Sequence, residues 1–196
     1  MFLKKLAASF RNTPVCAQEL STSSCEAPAL AKKLEKEGWH AAIVPSTRTK
    51  RDGLSAGVLI AVPSHIGINK IARDAKGDPT WDLSPGESQG RLAVAWVDAV
   101  CKGGVILGST YLWETEGLTI RNCDILSSWG EFVQSTTTPW ILAGDFNMEP
   151  EGSIVTAGWI GSVALLLASL ASQPATRRST TTLSSIKGCW YPQEVR

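Results

Sequence analysis

The sequence predicts a mixed α/β or α+β layered domain, on three observations. Short apolar, β-prone runs recur between residues 15 and 145, and two other stretches repeat their apolar residues at helical spacing. Their order is strand, helix, four strands, helix, strand, which calls for helices packed on sheets. A chain of 196 residues is long enough for one domain with a sizeable core, and no repeat or linker divides it.

Residues 15–19 form a short apolar run that ends in the polar pair Gln18-Glu19, a strand and its terminus. In residues 24–37, Ala29, Leu30 and Leu34 fall on one helical face, with Lys32, Lys33, Lys36 and Glu37 outside it. Pro28 near the start and Gly38 just past the end punctuate that helix. Residues 39–44 and 57–62 read as an antiparallel pair around the basic loop 46–55, and residues 69–89, with Gly77, Pro79, Pro85 and Gly86, as loop. Along residues 91–100, Leu92, Val94, Trp96 and Asp98 alternate with Ala93, Ala95, Val97 and Ala99. Gly103-Gly104 turns this strand into residues 105–111, a second hairpin. Ile125, Leu126, Trp129, Phe132 and Val133 stripe a helix over 118–135, and residues 140–145 return as a strand. Beyond residue 153 the pattern weakens: 163–170 are compatible with a helix, and 176–185, rich in Ser, Thr and Arg, have no period. The expected division is a lead segment 1–14, a domain 15–156 and a divergent tail 157–196.

Hydrophobic residues at 43% and charged residues at 19% exclude a disordered chain. The formal net charge of +1 gives no global attraction to nucleic acid, so such binding must use a local patch. Arg48, Lys50 and Arg51 offer one candidate, and Arg177 with Arg178 another, though either also reads as a solvated loop. Five cysteines without a C-x-x-C pair support neither a zinc site nor a disulfide framework, and imply an intracellular, nuclear or cytoplasmic, non-secreted chain. Trp96, Trp129 and Trp140, scattered along the chain, read as core anchors rather than a base-stacking stripe. Residues 1–12 are basic and acid-free, as a presequence can be, but cleavage there would damage the strand that follows. Residues 157–171 are apolar yet shorter than the ~20 needed to span a bilayer.

The chemistry concentrates in residues 142–149, Leu-Ala-Gly-Asp-Phe-Asn-Met-Glu, at the carboxyl end of the last strand. Residues two apart on a strand share a face, so Asp145 and Asn147 would project together with Phe146 packed behind them. A carboxylate and an amide so placed can meet a metal ion or water and orient a phosphate; the alternative is an Asx turn capping the strand.

Gly-Asp-Phe-Asn after an apolar strand resembles the signature of the endonuclease/exonuclease/phosphatase superfamily. Gln18-Glu19, the segment Gly57-Val58-Leu59-Ile60, Arg91, Tyr111 and Arg121-Asn122 follow one another as that superfamily's motifs do. The resemblance implies a four-layer sandwich of two packed mixed β-sheets flanked by helices. It also implies a divalent-metal-dependent phosphoester hydrolase, closest to an apurinic-endonuclease-like or retroelement-type endonuclease domain. Glu19 would be the principal ligand of Mg²⁺ or Mn²⁺. Asp145 would be linked to the metal or align the attacking water, and Tyr111 and Asn147 would donate to phosphate oxygens. The nucleic-acid phosphodiester backbone would be the substrate, with no membrane involved. An inositol or lipid phosphatase of the same superfamily, or a non-catalytic remnant, are the alternatives.

Two departures bear on activity. Members begin with an asparagine-bearing strand and end with a Ser-Asp-His motif. Here Asn12 lies too close to Glu19 to occupy a separate strand, and Ser172-Gln173-Pro174-Ala175-Thr176 matches only faintly. The only histidines, His40 and His65, precede the motif and cannot take that role. A chain cut at both ends should be a poor catalyst or none. Its sheets should keep unpaired edges and its stability should be marginal.

Overall fold

A computed structural model describes residues 13–147, apart from Arg51 and Val100. Residues 1–12 of the lead segment, residues 148–156 of the expected domain, the helix expected at 163–170, the tail, the Arg177–Arg178 pair and Cys189 lie outside the described residues. Strands are β1 (Val15–Gln18), β2 (Trp39–Val44), β3 (Thr47–Arg48), β4 (Leu54–Ser55), β5 (Val58–Pro63) and β6 (Ile68–Asn69). They continue as β7 (Ala72–Arg73), β8 (Pro79–Thr80), β9 (Leu92–Val97), β10 (Val105–Tyr111) and β11 (Trp140–Asp145). The helices are α1 (Ala27–Lys36) and α2 (Ile120–Gln134). The principal elements keep the order read from the sequence. The stretches read as loop also carry two small ribbons, β3–β4 and β7–β8, and a 3₁₀ turn at Gly86–Ser88.

Two sheets face each other, in the strand orders β1-β5-β2 and β11-β10-β9-β6. In the first, β5 pairs antiparallel with both neighbours, so β1 and β2 run parallel across the α1 crossover with β5 inserted between them. In the second, β11 joins β10 in parallel through the α2 crossover, while β9 and β6 are antiparallel. Among the described residues β1 and β11 are edge strands.

The alternation of side chains along these strands builds the layers. Val58, Ile60 and Val62 turn inward to meet Ala93, Ala95, Val97, Val105 and Leu107 of the opposite sheet. On the outer face of the first sheet, Leu59 and Ala61 pack with Trp39 and Leu34 of α1. On the outer face of the second, Leu92, Val94, Ile106 and Leu142 receive Ile125, Trp129 and Val133 of α2. The result is α1, sheet, sheet, α2: the four-layer sandwich. Because β9 and β10 are covered on both sides, they read as nearly continuous apolar runs.

Glycine and tryptophan set the close approaches. A Cβ on Gly108 would meet the Trp129 ring at 2.7 Å, so glycine lets the indole of α2 lie directly on β10. Trp140 then packs edge-on against Trp129, with ring centroids 5.7 Å apart. Trp96 corrects the sequence reading. It is only half-buried, lies against Gly104 and donates its indole N–H to the Gly103 carbonyl at 3.2 Å, so it staples the hairpin turn instead of anchoring the core.

Candidate active site

The carboxyl ends of β1, β10 and β11 meet at one end of the space between the sheets. Cys16 and Gln18 face inward from β1, and the Gln18 side-chain amide donates to Ser109 Oγ of β10 at 3.1 Å, tying the sheets together. Burial raises the Cys16 thiol to about 12, despite its contact with Ser109, so it stays protonated and inert.

Glu19 follows Gln18, and strand alternation would send it to the α1 side with Ala17. Its backbone instead adopts the left-handed conformation, φ 57°, and its carboxylate accepts a hydrogen bond from the Tyr111 hydroxyl of the inner layer. Holding a non-glycine residue there costs on the order of 1–3 kcal/mol and needs support from its surroundings. Leu20 N–H donates to the Gly57 carbonyl at 3.2 Å. Thr22 and the buried Ser46 exchange hydrogen bonds, Thr22 N–H to Ser46 Oγ at 3.0 Å and Ser46 N–H to the Thr22 carbonyl at 2.8 Å. Gly57, with φ +89°, leaves room for Ser46 that a side chain would fill.

Tyr111 is the last residue of β10 and pairs in register with Asp145 of β11. Burial, then the Glu19 hydrogen bond and charge, push its phenol up to about 12, against the opposing pull of Arg91. It is therefore a hydrogen-bond donor throughout the neutral range.

Asp145 is exposed at the end of its strand, and Phe146, 6% exposed, packs behind it as the alternation requires. The alternation does not extend to Asn147. That residue has φ 47°, and its N–H donates to Asp145 Oδ1 at 3.0 Å, an Asx turn. The Asn147 side-chain amide donates to the Leu112 carbonyl at 2.8 Å, which ties the turn back to the end of β10. Gly144 has its own reason to be glycine: a Cβ there would collide with the Thr110 carbonyl of the neighbouring strand and lie 2.7 Å from Thr110 Cγ2. Glu19, Tyr111 and Asp145 are thus brought together, and Asn147 braces them.

The sequence reading noted Arg91 and Asn122 as motif residues without assigning them a role in the site. Arg91 is 3% exposed, and burial lowers its pKa; its guanidinium lies 5.0 Å from the Tyr111 ring centroid and 3.6 Å from that of Trp113. The signal was legible: an arginine leading a strand that is apolar on both faces. Asn122 is wholly buried and pins the loop after Tyr111, accepting from Trp113 N–H and donating to the carbonyls of Trp113 and Gly117. Trp113 itself carried no sequence signal.

His40 and His65 lie at the opposite end of the first sheet. Trp39 pairs with Pro63 there, whereas Gln18 pairs with Val58 at the Glu19 end. Of the basic loop, Arg48 pairs with Asp52 at 3.7 Å with both side chains largely exposed, a contact of little energetic weight. Among the described residues, no three His, Cys, Asp or Glu side chains gather into a metal cluster. Mg²⁺ and Mn²⁺ favour oxygen donors, and Mg²⁺ is commonly held by one or two carboxylates with retained water. Exposed carboxylates at Glu19 and Asp145, both acting on Tyr111, fit such a hydrated ion and not a zinc cage.

No protein-family model and no curated protein matches the sequence. Solved structures do. D. rerio TDP2 humanized by 14 mutations matches with a TM-score of 0.50 at 17% identity, over 79% of this chain and 61% of that one. D. rerio TDP2 complexed with single strand DNA product gives 0.50 at 15% identity, over 82% and 56%. The human Nocturnin catalytic domain with bound sulfate gives 0.49 at 15% identity, over 80% and 60%. The chain spans from 56% to 61% of the length of these structures. The sandwich built from β1 to β11 shares its fold with D. rerio TDP2.

Proposed function

We propose that the chain is a divalent-metal-dependent phosphoester hydrolase of the nuclease type, acting on the phosphodiester backbone of nucleic acid. The observation that carries the reading is the convergence of Glu19, Tyr111 and Asp145 where three strands end, with Glu19 held in a strained backbone conformation to reach it. Strain of that kind persists where the surroundings over-determine it, and it concentrates at functional sites. D. rerio TDP2, which shares the fold, is solved with a single strand DNA product, and this favours nucleic acid over lipid or inositol phosphate.

In this reading Glu19 and Asp145 hold Mg²⁺ or Mn²⁺, which supplies Lewis-acid polarisation of a phosphoryl oxygen when bound. Tyr111, protonated at neutral pH, donates to a non-bridging phosphate oxygen and stabilises the charge that develops there. Asp145 aligns the attacking water and accepts its proton as the new P–O bond forms and the bond to the leaving oxygen breaks. Asn147 keeps Asp145 in place through the Asx turn. Neither histidine of the sequence lies at this end, so no imidazole protonates the leaving oxygen, and without that general-acid help, worth about 10²–10⁴-fold, turnover should be slow.

A second reading, a non-catalytic scaffold, draws on one observation: the Asn147 amide and one Asp145 oxygen are already engaged in holding the turn. Hydrolysis assays run side by side with Mg²⁺ on a DNA oligonucleotide and on a phosphoinositide decide between the readings. Preferential DNA cleavage supports the nuclease, preferential release of phosphate from the lipid shifts the proposal to a phosphatase, and inertness on both favours the scaffold.

A further inference from the structure

We propose that Arg91 is a positioning residue for this site, acting through the Leu112 carbonyl and not by touching substrate. Its guanidinium donates to the Tyr111 carbonyl at 3.1 Å, to the Leu112 carbonyl at 3.4 Å and to Ser55 Oγ at 3.1 Å. All three acceptors are neutral. Among the described residues no carboxylate forms an ion pair with it, and planar stacking and a fork of hydrogen bonds, helped by the charges of Glu116 and Glu19, offset the lost hydration. Tyr111 and Trp113 supply the stacking faces.

The three neighbours of Leu112 explain what the arrangement achieves. Its N–H donates to the Asp145 carbonyl at 3.0 Å, and its own carbonyl receives both Asn147 Nδ2 and Arg91. One residue therefore joins the Glu19–Tyr111 half of the site to the Asp145–Asn147 half. The Arg91 main chain reinforces the joint, because its carbonyl accepts from Tyr111 N–H at 2.9 Å and from Thr110 Oγ1 at 3.2 Å. Ser55 extends the tie to the β3–β4 ribbon, and its own strand β4 leads through Gly57 to the loop that holds Glu19. Lysine would keep the charge and lose both the fork and the stacking plane.

The claim rests on the hydrolase reading for its consequence in catalysis, and its geometry can be tested without turnover. Hydrogen exchange in the folded protein would follow the amides of Leu112 and Trp113, which are bonded to the Asp145 carbonyl and to Asn122 Oδ1. In Arg91→Lys these should exchange on the order of tenfold faster, while amides of β5 and of α1 stay within twofold. Asn147→Ala should act on the same amides, and the double variant should fall well short of the product of the two single effects, because both side chains hold one carbonyl. If Arg91→Lys does not fold, Trp113→Leu, which strips the 3.6 Å stacking face and leaves the hydrogen bonds, should loosen the same amides. Unchanged exchange at Leu112 and Trp113, a uniform rise across β5 and α1, or multiplicative single effects would overturn the proposal. With Mg²⁺ and an oligonucleotide, Arg91→Lys should lower kcat about tenfold or more at unchanged KM. A loss confined to KM would mean that the guanidinium serves binding and would also overturn it. An inactive wild-type protein defeats the hydrolase reading alone, since the exchange comparison still decides the role of Arg91.

Discussion

Replacing Asn122 with alanine strikes the loop between Tyr111 and α2 at its most constrained point. The side chain is 0% exposed. Its Oδ1 accepts from Trp113 N–H at 2.8 Å, and its Nδ2 donates to the Trp113 carbonyl at 3.2 Å and the Gly117 carbonyl at 2.6 Å. The two carbonyl bonds contribute about 1 kcal/mol each, and a half-buried Trp113 N–H left without an acceptor costs about 1 kcal/mol, so the loss comes to about 3 kcal/mol. In a chain of this size that lowers Tm by roughly 6–12 °C. Urea and thermal unfolding, followed by far-ultraviolet circular dichroism and by tryptophan fluorescence, would measure it. Because Trp113 stacks on Arg91, the loop should loosen first and drag the end of β10 with it. A destabilisation under about 1 kcal/mol would mean that water or a rearranged loop takes over those bonds, and would refute the assignment of Asn122 as the pin.

Two further outcomes follow from close contacts and from titration. Gly144→Ala forces a methyl group into the Thr110 backbone, so β11 must shift against β10. Overpacking of this kind costs about 1–3 kcal/mol, and urea unfolding that places the variant within ~0.5 kcal/mol of wild type would contradict the register. Tyr111 and Cys16 are both held protonated to about 12, from 10.0 and 9.0 respectively. A raised folded pKa favours the native state below the unfolded value, and that contribution is lost as pH climbs through the folded one. Stability should therefore decline from about pH 9 to pH 12. Tyr111→Phe should flatten the part above pH 10, and pH profiles that coincide for variant and wild type would count against the buried Tyr111 phenol and its bond to Glu19.

Sequence legibility followed the physics of each element. Periodic apolar patterns located β5, β10 and α2 within a residue or two, and β9 with its end three residues too late, because each is covered by packing that demands the pattern. The two-residue ribbons β3–β4 and β7–β8 escaped, since so short a ladder leaves no period to read. Glu19, Tyr111 and Asp145 were visible as polar residues closing apolar strands. What could not be read was orientation. Alternation assigns Glu19 to the wrong face, and only its left-handed backbone returns it to Tyr111. The same limit applies to Asn147, whose side chain braces Leu112 where the strand pattern alone would have aimed it beside Asp145. Arg91 works through main-chain carbonyls 20 and 21 residues away and Asn122 through those five and nine residues before it, and no periodic pattern announces such partners.

The hydrolase reading is tested most directly by single-turnover cleavage of a DNA oligonucleotide with purified chain, in Mg²⁺ and in chelator, comparing wild type with Glu19→Gln. The account predicts slow cleavage that requires Mg²⁺ and disappears in Glu19→Gln, whose neutral amide keeps an acceptor for Tyr111 but gives up the anionic ligand. Cleavage that persists in chelator, or that Glu19→Gln leaves intact, would contradict it, as would no cleavage at all by the wild-type chain.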